Sequence, residues 1–146
     1  MKAAAPPPTE RPTLLMVESD VLVRQAIAEY LRECGYRVLE AANTDEAILI
    51  INARKVETVL ANARAGGKLD GFGLAKWLKD NRPGVQVILS GTVANHAKEA
   101  GKLCDKGPPL VKPYDPKHLV DRIKRAMAAR ERSRKPGPRA SLKQSA

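Results

Sequence analysis

Several short apolar runs in this chain end in side chains that are able to bind anions or metal ions. These side chains are Glu18, Ser19 and Asp20 after the first run, Asn62 in the third, Ser90 in the fourth and Lys112 in the fifth. The carboxyl ends of parallel strands meet at one edge of a sheet, so we expect the side chains to converge there. Strand ends are often polar without having a function, but four ends in register favour an anion or phosphoryl site.

Alternating strands and helices are needed to bring these residues together. Short apolar runs predict strands at 13–17, 36–42, 56–62, 85–90 and 110–112. Apolar residues at helical spacing between them predict five helices, the first capped by Ser19 or Asp20 and ended by Gly35, the second capped by Thr44. The pattern predicts an α/β, flavodoxin-like (βα)5 fold, a three-layer sandwich around a five-stranded parallel sheet of order 2-1-3-4-5.

Composition predicts one folded domain between an Ala- and Pro-rich N-terminal segment and a basic C-terminal segment. The 146 residues carry a net charge of +10, with 43% hydrophobic residues. Residues 1–12 are rich in Ala and Pro and predict a disordered leader, 13–130 the folded domain, and 131–146 a disordered basic tail. No apolar run is long enough for a membrane span, and no signal peptide is recognisable, so we expect a cytoplasmic protein.

Cysteine and histidine give little indication of metal chemistry. Cys34 and Cys104 are the only cysteines, and two thiols in a cytoplasmic chain are more often buried hydrophobic side chains than a disulfide. His96 and His118 have no partners at metal-ligand spacing. The sequence therefore predicts neither a disulfide nor a transition-metal site.

Several stretches together resemble the receiver domain of bacterial two-component response regulators. They are LLMVESDVLVRQAIAEYL, YRVLEAANTDEAI, VLANARAGGKLDGFGLAKWL, VILSG and LVKPYDPKHLVDRI, and they cover about residues 13–129. The most specific short match is the KPY that begins at Lys112. The resemblance also implies a cis peptide bond at Pro113.

The resemblance assigns a role to each polar strand end. In that family an aspartate after strand three accepts a phosphoryl group from a kinase histidine, and two acids after strand one bind Mg²⁺ beside it. Carried over, the first acid is Glu18, the phosphoryl-contacting hydroxyl is Ser90 and the lysine is Lys112. Ser19 stands where the second acid should be, with Asp20 next to it, and Asn62 stands at the phosphoacceptor position. The aromatic switch residue of the family falls on Pro109 and is absent.

These departures predict a degenerate receiver that is not an enzyme. An amide nitrogen is a poor nucleophile and cannot form an acyl phosphate, and Mg²⁺ loses two anionic ligands. Lys112 is left to bond the oxygen of Asn62 or to pair with Glu18. We therefore expect a stand-alone pseudo-receiver without cofactor or metal. Its expected partners are a sensor histidine kinase, a phosphotransfer protein or another regulator, with a possible homodimer through the helix 4–strand 5–helix 5 face.

Two other functions compete with this hypothesis. The basic tail favours a nucleic-acid-binding or scaffold protein on a receiver-like fold, although 3% aromatic residues provide no stacking platform and make nucleic acid the weaker choice. A flavodoxin-like cofactor protein needs a phosphate-binding loop after strand one, and ESDV lacks the small residues of such a loop.

Overall fold

The computed structural model describes residues 11–108 and 111–134. Four strands and five helices follow one another along these ranges. The strands are β1 (Thr13–Val17), β2 (Arg37–Ala41), β3 (Thr58–Asn62) and β4 (Gln86–Ser90). The helices are α1 (Val21–Glu33), α2 (Thr44–Ala53), α3 (Gly71–Asn81), α4 (Val93–Lys106) and α5 (Pro116–Arg134).

The strands form one parallel sheet of order β2-β1-β3-β4. β1 lies in the middle and is buried along its whole length, which is typical of a parallel strand covered on both faces. The register pairs Asn62 at the end of β3 with Ser90 at the end of β4. The α/β, flavodoxin-like architecture is therefore as predicted, and it brings these two strand ends side by side.

Each face of the sheet has its own hydrophobic cluster. One cluster joins the sheet to α1, α4 and α5 through side chains that include Ile27, Leu31, Leu103, Leu119 and Ile123. The other joins it to α2 and α3 and includes Ile51, Leu74 and Leu78. Leu119 and Ile123 of α5 are fully buried in the first cluster.

The predicted fifth strand is the main departure from the expected topology. Residues 111–113 have no regular structure, and 109–110 lie outside the described residues. The predicted cis bond at Pro113 was also wrong, because no cis peptide occurs in the part of the chain that the structure describes. Val111 is exposed, whereas a strand residue at that position would be buried.

Helix α5 runs antiparallel to α1. Tyr114, just before α5, packs against Tyr30 near the end of α1, with ring centroids 5.5 Å apart. At the other end Arg130 contacts Asp20, the N-cap of α1. Strand 5 of the predicted dimer face is absent from the described residues, whereas helices 4 and 5 are present, and the homodimer itself stays a prediction.

Short polar side chains begin four of the helices. Asp20, Asn43, Asp70 and Thr92 accept hydrogen bonds from backbone N–H groups in the first turns of α1, α2, α3 and α4. The predicted cap Thr44 was wrong by one residue: Asn43 caps α2, and the Thr44 hydroxyl instead donates to the carbonyl of Leu69. Gly35 follows α1 with a φ of 100°, as expected of a residue that ends a helix.

The two cysteines form a disulfide, contrary to the prediction of free thiols. Cys34 caps the end of α1 and Cys104 lies in the last turn of α4, with their Cα atoms 5.2 Å apart and both side chains buried. Beside the disulfide, the Tyr36 hydroxyl donates a 2.5 Å hydrogen bond to the carbonyl of Leu103. Sequence gives no distance between residues 70 positions apart, which is why the pairing was missed.

The predicted leader and tail lie mostly outside the described residues. Pro12 is described, and its carbonyl accepts a hydrogen bond from the N–H of Arg37. Helix α5 continues to Arg134, four residues beyond the predicted end of the domain. Within the described ranges no helix has the length and apolar character required to cross a bilayer.

Candidate functional site

Glu18 is the buried acid at the end of β1. Its side chain is only 4% exposed, and its backbone N–H is held by the carbonyl of Ala41 on β2. Its Oε2 accepts a 2.7 Å hydrogen bond from the N–H of Asp20, and its own carbonyl accepts one of 2.9 Å from Arg24. The carboxylate is therefore fixed in place by the turn that leads into α1.

Asn62 lies beside this carboxylate and is fixed at both ends of its amide. Its Nδ2 donates a 2.8 Å hydrogen bond to Oε1 of Glu18, and its Oδ1 accepts one of 2.8 Å from the N–H of Arg64. The backbone here is closely packed, since a Cβ added to Gly71 would lie 2.4 Å from the carbonyl oxygen of Asn62. The nitrogen and the oxygen of the Asn62 amide thus each have a hydrogen-bond partner within the chain.

Ser90 lies next to Asn62 on the neighbouring strand. The N–H of Ala63 donates to the Ser90 carbonyl at 2.9 Å, continuing the ladder between β3 and β4. The Ser90 side chain is 5% exposed, and its hydroxyl donates a long, 3.4 Å hydrogen bond to the carbonyl of Thr92. Glu18, Asn62 and Ser90 are thus brought together at the carboxyl edge of the sheet, as their positions predict.

His96 completes the cluster from α4 and was not predicted to be part of it. Its side chain is 1% exposed, and its Nε2 lies 3.4 Å from Oε1 of Glu18 without the geometry of a hydrogen bond. Neither ring nitrogen has a hydrogen-bond partner among the described residues. Such an unpaired buried polar group is uncommon in folded proteins.

The surroundings of Glu18 favour its ionised form. Burial raises the pKa of this carboxyl, but the approach of His96 and the hydrogen bonds from Asp20 and Asn62 outweigh burial. The pKa of Glu18 therefore lies below its ordinary value. Asn62 acts here as a donor to an anion, a role that an aspartate cannot fill when ionised.

Asp20 is turned away from Glu18 and pairs with Arg130 of α5. The two nitrogens of the Arg130 guanidinium donate to both carboxylate oxygens, at 3.0 and 2.9 Å. The hydrogen bonds from Arg130 lower the pKa of Asp20; burial opposes this, and the N–H groups of Val23 and Leu22 reinforce it. Asp20 is thus committed to holding α1 and α5 together.

Lys112 is not in the site, which corrects the expectation that it bonds Asn62 or pairs with Glu18. Its Nζ donates to the carbonyl of Cys104 and, at 3.1 Å, to that of Pro108. Since residues 111–113 form no strand, no strand end among the described residues carries Lys112 to the edge of the sheet. Lys112 is instead part of the corner that the disulfide closes.

The donors that remain are poorly suited to Mg²⁺, which binds several hard, mostly anionic oxygens in octahedral geometry. Ser19 is exposed and neutral, Asp20 is held by Arg130, and both oxygens of Glu18 are already contacted. No group of three or more His, Cys, Asp or Glu able to hold a metal ion occurs in the described part of the chain. The residues present therefore do not fit the magnesium site that the resemblance implies.

Sequence reasoning missed two of the residues that define this edge. His96 shares a helical apolar stripe with Ala97, Ala100 and Leu103, and that spacing was a usable signal of burial. Arg130 gave no such signal, because its partner Asp20 is 110 positions away in the chain.

Known proteins similar to this chain support the fold. Residues 14–124 match the family model described as "Response regulator receiver domain". The chain is 30% identical over 118 residues to the transcriptional regulatory protein AruR of Pseudomonas aeruginosa, covering 77% of this chain and 48% of that protein. It is 31% identical over 115 residues to the phosphate regulon transcriptional regulatory protein PhoB of the same species, covering 77% and 50%. The chain spans about half the length of these relatives.

Solved structures agree with this architecture. A CheY-like response regulator receiver domain from Methanospirillum hungatei is similar with a TM-score of 0.54 at 21% identity, over 85% of this chain and 99% of that one. The signal receiver domain of an HD domain-containing protein from Pseudomonas fluorescens gives a TM-score of 0.53 at 20% identity, over 84% and 98%. At these identities the likeness shows the fold alone.

Proposed function

Because the chain belongs to the response regulator receiver domain family, we propose that it is a pseudo-receiver in two-component signalling, acting through protein–protein contacts without phosphorylation of an aspartate. The observation that carries this proposal is the hydrogen bond from Nδ2 of Asn62 to Oε1 of Glu18. The amide occupies the position of the phosphoacceptor and donates a hydrogen bond that stabilises the neighbouring carboxylate in its charged form.

Two features of the site support the loss of phosphoryl transfer. An amide cannot attack a phosphoryl group to give an acyl phosphate, since its nitrogen lone pair is delocalised. Lys112, the residue that would contact phosphoryl oxygens, bonds backbone carbonyls at another corner of the domain. Both the nucleophile and one of its supporting cations are therefore missing.

The carboxylates of the site are also not available to bind Mg²⁺, and we propose that the protein uses no Mg²⁺. One site carboxylate, Asp20, is held by the guanidinium of Arg130, and the other, Glu18, accepts hydrogen bonds from protein donors. A cation entering here has to displace these donors, which costs the free energy of charge-assisted hydrogen bonds.

We further propose that the domain remains in one conformation. A ligand shifts an equilibrium between two states only through its differential affinity for them. With phosphoryl group and Mg²⁺ both excluded, the site has no ligand to drive such a shift. Asn62–Glu18 and Asp20–Arg130 then act as permanent contacts that present a fixed surface to a partner. The proposed partner is a sensor histidine kinase, a phosphotransfer protein or another regulator.

Amide NMR spectra test this proposal. Spectra of the wild-type protein are recorded before and after addition of acetyl phosphate and Mg²⁺, beside those of the double variant Asn62→Asp/Ser19→Asp. The proposal predicts that the wild-type resonances of β3, β4 and α4 stay in place. Shifts that spread from Asn62 into α4 of the wild type contradict it.

A further inference from the structure

Four basic residues line a hollow at the end of the sheet opposite Asn62. This hollow has a volume of about 600 Å³ and lies where the strands begin. The basic residues are Arg11, Arg37, Arg54 and Lys55, which come from three separate places in the chain: before β1, at the start of β2 and after α2.

The positive charge of the hollow is largely uncompensated. Arg37, Arg54 and Lys55 are exposed, and none of the three forms a salt bridge within residues 11–108 and 111–134. One carboxylate, Glu57, also lines the hollow, and its Oε2 already accepts a 2.9 Å hydrogen bond from the N–H of Thr13. The hollow therefore offers several unused cationic donors around a partly committed acid.

The basic lining continues into a second hollow that shares three residues with the first. Arg54, Lys55 and Glu57 line both, and the second adds Arg82 at the end of α3. Arg82 donates to the side chain of Asn52 and lies over the ring of Trp77, so it is held in position. The edge thus presents Arg82, which is held by its contacts, beside the exposed cations of the first hollow.

We propose that this edge binds the phosphoryl groups of an anionic ligand, and that Arg37, Arg54 and Lys55 contact those groups. Guanidinium groups suit phosphate because their N–H groups donate in pairs to its oxygens, and lysine adds a compact charge. A site with three cations, one at the start of β2 and two after α2, suits a ligand with at least two phosphoryl groups. The site is independent of the proposed signalling role, since it lies at the other end of the sheet.

Two sources of such phosphoryl groups are distinguishable: a free phosphorylated molecule and the backbone of a nucleic acid. Pyrophosphate serves as the probe for the site itself, and a short duplex DNA serves as the probe for the second source. Both are titrated into the full-length wild type and followed by calorimetry and by the amide resonances of Arg37 and Lys55.

Two charge-reversal variants of equal net charge make the test specific. Arg37→Glu/Lys55→Glu changes the hollow, and Arg139→Glu/Lys143→Glu changes the C-terminal segment by the same total charge. The proposal predicts that wild type binds pyrophosphate, that the first variant loses at least about tenfold in affinity, and that the second does not. If only the first variant loses DNA binding, the phosphoryl groups belong to nucleic acid. If the wild-type protein does not bind DNA, they belong to a free ligand.

Either of two results overturns the proposal. Wild-type protein that shows no binding of millimolar pyrophosphate has no such site. Equal losses in both variants show that affinity follows net charge, as expected for sequence-independent attraction to a basic protein, rather than the hollow. Circular dichroism of both variants confirms that each retains its fold.

Discussion

Nδ2 of Asn62 lies 2.8 Å from Oε1 of Glu18 and donates a hydrogen bond to it. Two carboxylates at this distance repel each other, whereas an amide and a carboxylate attract. We propose that an amide at this position removes the need for a cation beside Glu18.

Replacing Asn62 by Asp is expected to destabilise the domain at neutral pH. The variant loses the donor to Glu18 and gains a like charge beside it, so the pKa of at least one of the two carboxyls rises. A raised pKa penalises the folded state above that pKa, and the penalty falls as the pH is lowered through it. We expect a loss of about 1–2 kcal/mol at pH 7, within the usual range of single mutations. Chemical denaturation measures it, with exposed Asn95→Asp as the control.

Adding Ser19→Asp to Asn62→Asp is expected to create a requirement for Mg²⁺. The clustered carboxylates then have an ion to bind, and a ligand that binds only the folded state stabilises it. Addition of millimolar Mg²⁺ should raise the melting temperature of the double variant and leave that of the wild type unchanged. A wild-type shift as large as that of the double variant means that a metal site is intact.

His96→Leu is expected to stabilise the protein in acid and to lose that gain as the pH rises through the raised pKa of Glu18. The substitution removes two buried nitrogens without hydrogen-bond partners, and such atoms carry a desolvation cost. It also removes one of the interactions that lower the pKa of Glu18, so this pKa should rise. An NMR titration of the Glu18 carboxyl measures the second effect. His118→Leu, at an exposed position, is the control, and an unchanged Glu18 pKa in His96→Leu shows that the ring has no influence.

Arg130→Ala is expected to lower the stability of the fold most at neutral pH and least in acid. The pKa of Asp20 is lowered from 3.8 in the folded protein. A lowered pKa contributes stability above the unfolded value, and this contribution is lost as the pH falls through the folded value. The melting temperatures of wild type and variant should therefore converge as the pH falls below 3.8. Exposed Arg125→Ala on the same helix should show no such convergence, and a constant gap for Arg130→Ala argues against the ion pair.

Cys34→Ser/Cys104→Ser is expected to lower stability by up to about 4 kcal/mol. In the chain-entropy account a disulfide stabilises by restricting the unfolded chain, and the bond here joins residues 70 positions apart. Denaturation of wild type with and without reductant gives the same comparison without mutation. Intact mass under non-reducing conditions should be lighter than the reduced form by two hydrogen atoms. Equal masses contradict the disulfide.

The sequence was informative where local pattern decides structure. Apolar runs and helical spacing predicted five strands and five helices, of which the described residues form four strands and all five helices, and the strand ends brought Glu18, Asn62 and Ser90 together. Contacts between residues far apart in the chain were not predictable, because no local signal links Asp20 to Arg130 or Cys34 to Cys104. For Lys112 a local pattern was misleading. The short apolar run at 110–112 predicted a strand that ends at the edge of the sheet, but hydrogen bonds to the carbonyls of Cys104 and Pro108 hold Lys112 away from that edge.

Intact-mass analysis after incubation with acetyl phosphate and Mg²⁺ measures directly whether the domain accepts a phosphoryl group. The account predicts that wild-type protein gains no phosphoryl adduct, since Asn62 offers no nucleophile and its Nδ2 is committed to Glu18. An acid-stable, hydroxylamine-labile adduct on the wild-type protein, at Asn62's neighbours or at any other carboxylate, would show that the domain accepts phosphoryl groups and would contradict the account.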